Sequence, residues 1–203
     1  MTGRDKKQRG FSIVELLIAG FIFSVVFGVA TSTFVNAIRV QKYNMAQHQL
    51  LDQTSYAIEY IGRALRMAKT DDGTCGVGNG RNYKVAGSGR IISFKNYNDE
   101  CELFEWDDFD NDGDFDSIIV TIADIDPANP LANFRLEKVP LNSGNYRVTD
   151  ARFYIEGELQ TDDLQPRVTV FMEFSRDTPI SPWGASSISL KVQTTVSQRE
   201  LDL

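Results

Sequence analysis

Residues 9–30 read RGFSIVELLIAGFIFSVVFGVA, about twenty mostly apolar residues interrupted by one carboxylate, Glu15. A helix needs roughly 20 such residues to cross the hydrocarbon core of a bilayer, so this stretch is long enough to span one. The segment before it, MTGRDKKQRG, carries Arg4, Lys6, Lys7 and Arg9 against only Asp5. By the positive-inside bias this end stays cytoplasmic and the remainder crosses the membrane.

An ordinary secretory signal differs on three counts. Its apolar region runs about 7–15 residues, shorter than this one. No A-x-A-like cleavage pattern closes the run; Thr31-Ser32-Thr33-Phe34-Val35 continues it in helix-compatible residues. A carboxylate near the bilayer centre costs on the order of 2.5–3.5 kcal/mol on insertion scales, so Glu15 needs a partner. No other side chain between Phe11 and Ile38 is ionisable, and that partner must come from outside the segment's side chains.

Gly10-Phe11-Ser12-Ile13-Val14-Glu15 resembles the processing site of type IV pilins and of the pseudopilins of type II secretion systems. The resemblance implies a prepilin peptidase that cuts after Gly10 on the cytoplasmic face and methylates the new amino terminus at Phe11. It also implies that Glu15 pairs with the N-terminal amine of a neighbouring pilin or pseudopilin subunit, on an inner-membrane assembly platform. The motif covers about a tenth of the chain; the plainer alternative is a single-span anchor. On this basis residues 1–10 are a leader removed on maturation, 11–38 a transmembrane and filament-core helix, 39–70 an amphipathic helix half, and 71–203 an extracytoplasmic β-rich domain.

The helix is expected to run past the membrane. From Thr33 to Lys69 there is no proline and one glycine, Gly62. Leu51, Thr54, Ile58, Ile61, Leu65 and Ala68 recur at three- and four-residue steps, an apolar stripe that has to cover something. Asp71-Asp72-Gly73 supplies the stop. Residues 38–49 are mostly polar and suit the membrane interface. His48, the only histidine, reads as an exposed helix residue or as a pH-responsive contact.

Residues 71–90 read as loop, rich in glycine and polar residues. Their Gly76, Gly78 and Gly80 do not make a phosphate loop, since no lysine-Ser/Thr pair follows and no strand precedes. Beyond them, Ile91–Lys95, Glu102–Trp106, Ser117–Ile122, Phe134–Val139, Thr149–Ile155, Val168–Phe174 and Ser187–Val196 read as strands. Turn clusters separate them at Asp126–Pro130, Asn142–Asn145 and Pro179–Pro182. A long helix followed by consecutive strands, without βαβ alternation, predicts an α+β fold with an antiparallel sheet against the helix stripe. Trp106 and Trp183 either fill the space between sheet and helix or anchor a partner. The segments VTDARFYI and SISLKVQTTVSQREL resemble, more loosely, the C-terminal sheet of larger minor pilins and J-type pseudopilins.

Asp108-Phe109-Asp110-Asn111-Asp112-Gly113-Asp114-Phe115-Asp116 puts carboxylates at positions 1, 3, 5, 7 and 9 around a glycine at 6. That spacing matches the first part of a calcium loop. The glutamate expected at position 12 is replaced by Ile119, and Asp116 is its best substitute. The segment resembles the shorter D-x-D-x-D-G-x-x-D loops of extracellular calcium-binding repeats. The alternative is a solvated acidic turn between two strands.

Cys75 and Cys101, both outside the membrane segment, read in a translocated domain as a disulfide; the alternative is two buried thiols. The net charge is −7, and removing four basic residues and one acid with the leader leaves 17 against 27, or −10. An acidic domain disfavours direct nucleic-acid binding, which needs clustered Lys and Arg. With one histidine and two paired cysteines, neither a Ser-His-Asp nor a Cys-His set is expected, which argues against an enzyme. Two functions remain: a structural filament subunit, a minor pilin or pseudopilin, or a membrane-anchored binding module that does not polymerise. The second leaves Glu15 unexplained.

Overall fold

The computed structural model describes residues 10–124, 135–157, 165–177 and 187–198. Helix α1, Ile13–Arg66, is a single element of 54 residues, about 80 Å long at 1.5 Å per residue. Ser12 precedes it in extended conformation, and its carbonyl accepts the first bond, from Leu16 N–H at 3.1 Å. Every residue from Gly10 to Lys42 is exposed, so the first half of α1 packs against nothing among the described residues. Along it, the hydroxyls of Ser24, Thr31 and Thr33 donate back to the carbonyls of Gly20, Phe27 and Val29 at 2.8, 2.8 and 2.9 Å. Those hydroxyls therefore place no unmet donor on an apolar surface.

The helix ends at Arg66, several residues before the expected stop at Asp71–Gly73. The β domain takes carbonyls at and just past the helix end. Tyr83 Oη donates to Leu65 O at 2.6 Å, and Gln198 Nε2 donates to Ala68 O at 2.9 Å. Lys69 N–H donates to Lys95 O at 2.8 Å, drawing the chain into a β-bridge where the helix would have continued.

Among the described residues eight strands follow, in two antiparallel meanders instead of the one sheet expected. The first holds β1 (Tyr83–Ala86), β2 (Ile91–Lys95), β3 (Cys101–Asp107), β4 (Ser117–Asp124) and β5 (Arg135–Pro140) in chain order. The second holds β6 (Arg147–Glu156), β7 (Arg167–Asp177) and β8 (Ser187–Ser197). Strand β1 lies in the stretch read as loop. It is only four residues long and flanked by glycines, so its alternation gives no periodic signal; pairing with β2 and burial of Tyr83 make it a strand. The turns expected at Asp126–Pro130 and Pro179–Pro182, and Trp183, lie outside the described residues.

The two sheets meet where Asn142 crosses from β5 to β6. Its Oδ1 accepts Ile118 N–H at 3.0 Å, and its Nδ2 donates to Tyr146 O at 2.8 Å and Asp116 O at 3.2 Å. Trp106 Nε1 donates to Val148 O at 2.9 Å. The indole thus sits at the seam between the sheets, a place that neither reading, filler between sheet and helix or partner anchor, gives it.

Helix α1 packs against β7 and β8 and reaches the first sheet through Tyr60, edge-on to Phe104 with centroids 6.2 Å apart. Its buried face is Leu50, Thr54, Ala57, Ile61, Gly62 and Leu65. Leu51, placed on the stripe from the sequence, is 46% exposed; the stripe starts one residue earlier, and Leu51 falls on its flank. At Gly62 the backbone comes so near β8 that a Cβ would already touch Val196 Cγ2 at 3.6 Å. The core merges Phe94, Phe104, Ile118 and Val120 of one sheet with Val148, Phe153, Val170, Met172 and Phe174 of the other.

Cys75 and Cys101 form a disulfide, with Cα atoms 5.2 Å apart, that ties the glycine-rich loop to the start of β3. In the chain-entropy picture, closing a loop of about 25 residues stabilises by roughly 3 kcal/mol.

The packing separates two neighbouring apolar types on α1. Ile61→Ala is expected to cost about 2–5 kcal/mol because Ile61 is fully enclosed. Leu51→Ala is expected to stay within about 0.5 kcal/mol. Urea unfolding of the full chain in detergent, followed by near-UV circular dichroism, measures both.

Candidate functional site

Two places carry chemistry. The first is the start of α1. Gly10 precedes the helix, Phe11 is 82% exposed, and Glu15 lies in the first turn. An acid in the first turn suits the positive pole of the helix dipole. Among the described residues none pairs with the Glu15 side chain. His48 is exposed on α1.

The second is the acidic loop between β3 and β4. Asp108 organises it: Oδ1 accepts Asn111 N–H at 2.6 Å, and Oδ2 accepts Gly113 N–H at 2.7 Å. Asp110 Oδ1 accepts Asp112 N–H at 3.3 Å, and Asp112 Oδ1 accepts Asp114 N–H at 2.9 Å. Closing so tight a turn takes left-handed backbone at Asn111 (φ 62°) and Gly113 (φ 99°), conformations that asparagine tolerates and glycine adopts freely.

The turn brings one carboxylate oxygen each from Asp108, Asp110 and Asp112 within 4.8 Å of one another. Three hard oxygen donors this close are of the kind that hold a divalent cation. Asp114 and Asp116 stand outside this group. Asp116 instead accepts Ser117 Oγ–H at 2.9 Å, though it lies near enough to add to the charge felt by Asp110. The electrostatics are uneven. The Gly113 N–H, helped by that of Asn111, holds the Asp108 carboxyl below the usual range. Desolvation, then the charges of Asp112 and Asp116, push Asp110 above it.

The far end of the loop is pinned to the sheet seam. Phe115 packs 5.8 Å from Trp106, with the Arg90 guanidinium 5.0 Å over its ring and Arg152 5.6 Å over the indole. This pair of aromatic rings flanked by two arginines has no sequence signature, because its members come from four separate segments.

The glycine-rich loop has a different centre, also missed from sequence. The buried Asp71 carboxylate accepts the backbone N–H groups of Cys75, Val77 and Gly78 at 3.1, 3.0 and 3.2 Å. The run Asp-Asp-Gly-Thr-Cys-Gly-Val-Gly therefore folds around its own acid.

Comparison with known families matches residues 5–31 to the prokaryotic N-terminal methylation motif. Comparison with curated proteins and with solved structures gives no match.

The acidic loop's order rests on Asp108. With divalent ions chelated, Asp108→Ala is expected to speed amide hydrogen exchange at Asn111 and Gly113, whereas Asp114→Ala leaves both unchanged; exchange followed by NMR reads the difference.

Proposed function

We propose that this chain, a type IV pilin-like protein by its methylation motif over residues 5–31, is a structural filament subunit: a minor pilin or a pseudopilin. The observation that carries the reading is the bare half of α1. Phe11, Ile13, Leu16, Leu17, Phe21, Phe23 and Phe27 are each more than half exposed, and the helix is long and apolar enough to cross a membrane. So large an apolar surface is covered first by lipid and then, in the assembled filament, by the same segments of neighbouring copies.

In that sequence of events a prepilin peptidase removes the leader after Gly10 and methylates the amine of Phe11, which keeps its positive charge. Glu15 then has an ionic partner in the N-terminus of the next subunit. In an apolar setting a lone carboxylate is costly, so pairing selects the one axial register that brings amine to acid. The β domain stays on the extracytoplasmic side and faces outward. No reacting group is required in this scheme; the protein acts by assembling.

The acidic loop carries a second part of the proposal, a structural calcium ion held by Asp108, Asp110 and Asp112. Support comes from their convergence and from the mutual repulsion that a cation would offset. The ion would order the loop.

Glu15→Ala is expected to insert into the membrane normally but to be lost from sheared filaments. Normal incorporation would remove the pairing role and favour an anchored module that does not polymerise. For the loop, calcium at a hundredfold excess over its Kd stabilises by about 2.7 kcal/mol. The melting temperature of the full chain in detergent should therefore rise from chelator to excess calcium, and Asp110→Asn should abolish the rise. An unchanged melting temperature would make the loop a solvated turn.

A further inference from the structure

Strand β3 carries one residue that its position does not suit. Glu102 and Phe104 share the face turned to α1, and Glu102 stands between Phe94 of β2 and Ile122 of β4 in register. It is 6% exposed. A carboxylate in such a place is unfavourable unless a charge or several donors meet it. What meets it is one shared amide: Asn96 Nδ2 donates to Glu102 Oε2 at 3.3 Å and to Glu100 Oε2 at 3.0 Å. Among the described residues no cation pairs with Glu102. Burial accordingly pushes its carboxyl above the usual range. An acid kept at a core position against local preference is the kind of conflict found at functional sites.

Glu102 does not face closed core. It lines an open cleft of about 380 Å³ between the last turns of α1 and the β2–β3 turn. Tyr56 and Tyr60, one helical turn apart with centroids 6.3 Å apart, form one wall, and Tyr97 of the turn contributes another. Tyr56 and Tyr97 are each more than half exposed, so both are open to a ligand. Met67 and Ala64 give the cleft an apolar strip. Arg63 and Glu59, paired at 2.7 Å and both well exposed, also line this cleft.

We propose that this cleft binds an alkylammonium group, with Glu102 as its counter-ion, the three tyrosines as its aromatic walls and Met67 against its aliphatic stem. Each part follows from the chemistry present. A cation within about 6 Å of a tyrosine ring is attracted by the ring quadrupole. A lysine-like stem buries its methylenes while its charged head seeks polar company. An acidic chain, net −7, attracts positively charged partners over distance. Such a group comes either from a lysine side chain of a partner protein or from a free small amine.

The Met67 methyl group reports occupancy. The full chain in detergent, labelled at its methionine methyls, is titrated with Nα-acetyl-lysine amide, n-butylammonium and the neutral Nα-acetyl-norleucine amide. The expected result is a saturable shift of the Met67 signal with the two ammonium compounds and binding at least about tenfold weaker for norleucine. Glu102→Gln, which keeps size and the Asn96 contact, should weaken ammonium binding by at least about tenfold without lowering the melting temperature. Tyr97→Ala, at an exposed position, should weaken it without unfolding. Tighter binding of the lysine amide points to a protein partner, and equal binding of butylammonium to a free amine. Equal binding of norleucine, unaltered binding by Glu102→Gln, or no saturable shift with either ammonium compound would overturn the proposal.

Discussion

The face of α1 from Leu50 to Leu65 is the surface on which the rest of the molecule depends. The two sheets share no strand, so what joins them is this face, the seam at Asn142 and Trp106, and the core they enclose. Burying a large apolar side chain fully is worth about 1.5–3 kcal/mol, and Ile61 and Leu65 are both fully buried. At Gly62 a Cβ would meet Val196 Cγ2 of β8 at 3.6 Å, an ordinary contact distance. The helix end is fixed from both sheets, by Tyr83 of one and Gln198 just beyond the other.

The same helix has to serve two solvents. Beyond the β domain it runs bare through Ile13–Lys42, about 45 Å of helix against a hydrocarbon core of roughly 30 Å. The excess length is the polar neck around Arg39, Gln41 and Lys42. The two halves differ in what surrounds them: the C-terminal half is packed against the sheets, whereas the N-terminal half is apolar and bare among the described residues. One continuous helix carries both Glu15 and the face that the sheets bury.

Much of this was legible in the residues. The anchor, the long helix, the α+β class and the disulfide followed from length, spacing and cysteine count. The seven strands expected from sequence are all present within the described residues, apart from Phe134 at the edge of one. What failed did so for physical reasons. Strand propensity says that a segment is extended and not which neighbour it chooses, so the division into two sheets was invisible. Leu51 and Leu50 fit a helical stripe almost equally well, and only the sheets' position decides between them. Asp108, Asp110 and Asp112 were readable because a tight turn makes neighbours in sequence neighbours in space. Asp71 was missed for the opposite reason: its partners are backbone amides, which every residue has. Glu102 left a fainter trace, sharing the parity of Phe104 on a strand whose inner face is otherwise apolar.

The acidic loop bears on the fold through its end. Phe115 is clasped between Trp106 and Arg90, and Asp116 O accepts both Val148 N–H at 2.8 Å and Asn142 Nδ2. The Val148 bond to Asp116 O reaches the second sheet directly, beside the Trp106–Val148 bond. The carboxylates of Asp108, Asp110 and Asp112 repel one another at the other end of the same short segment. Whatever lowers that repulsion also steadies the turn that presents Phe115 and Asp116 to the seam. Sheet junction and acidic turn are thus mechanically one unit: loosening the turn removes a ring and two hydrogen bonds from the place where the two halves of the β domain meet.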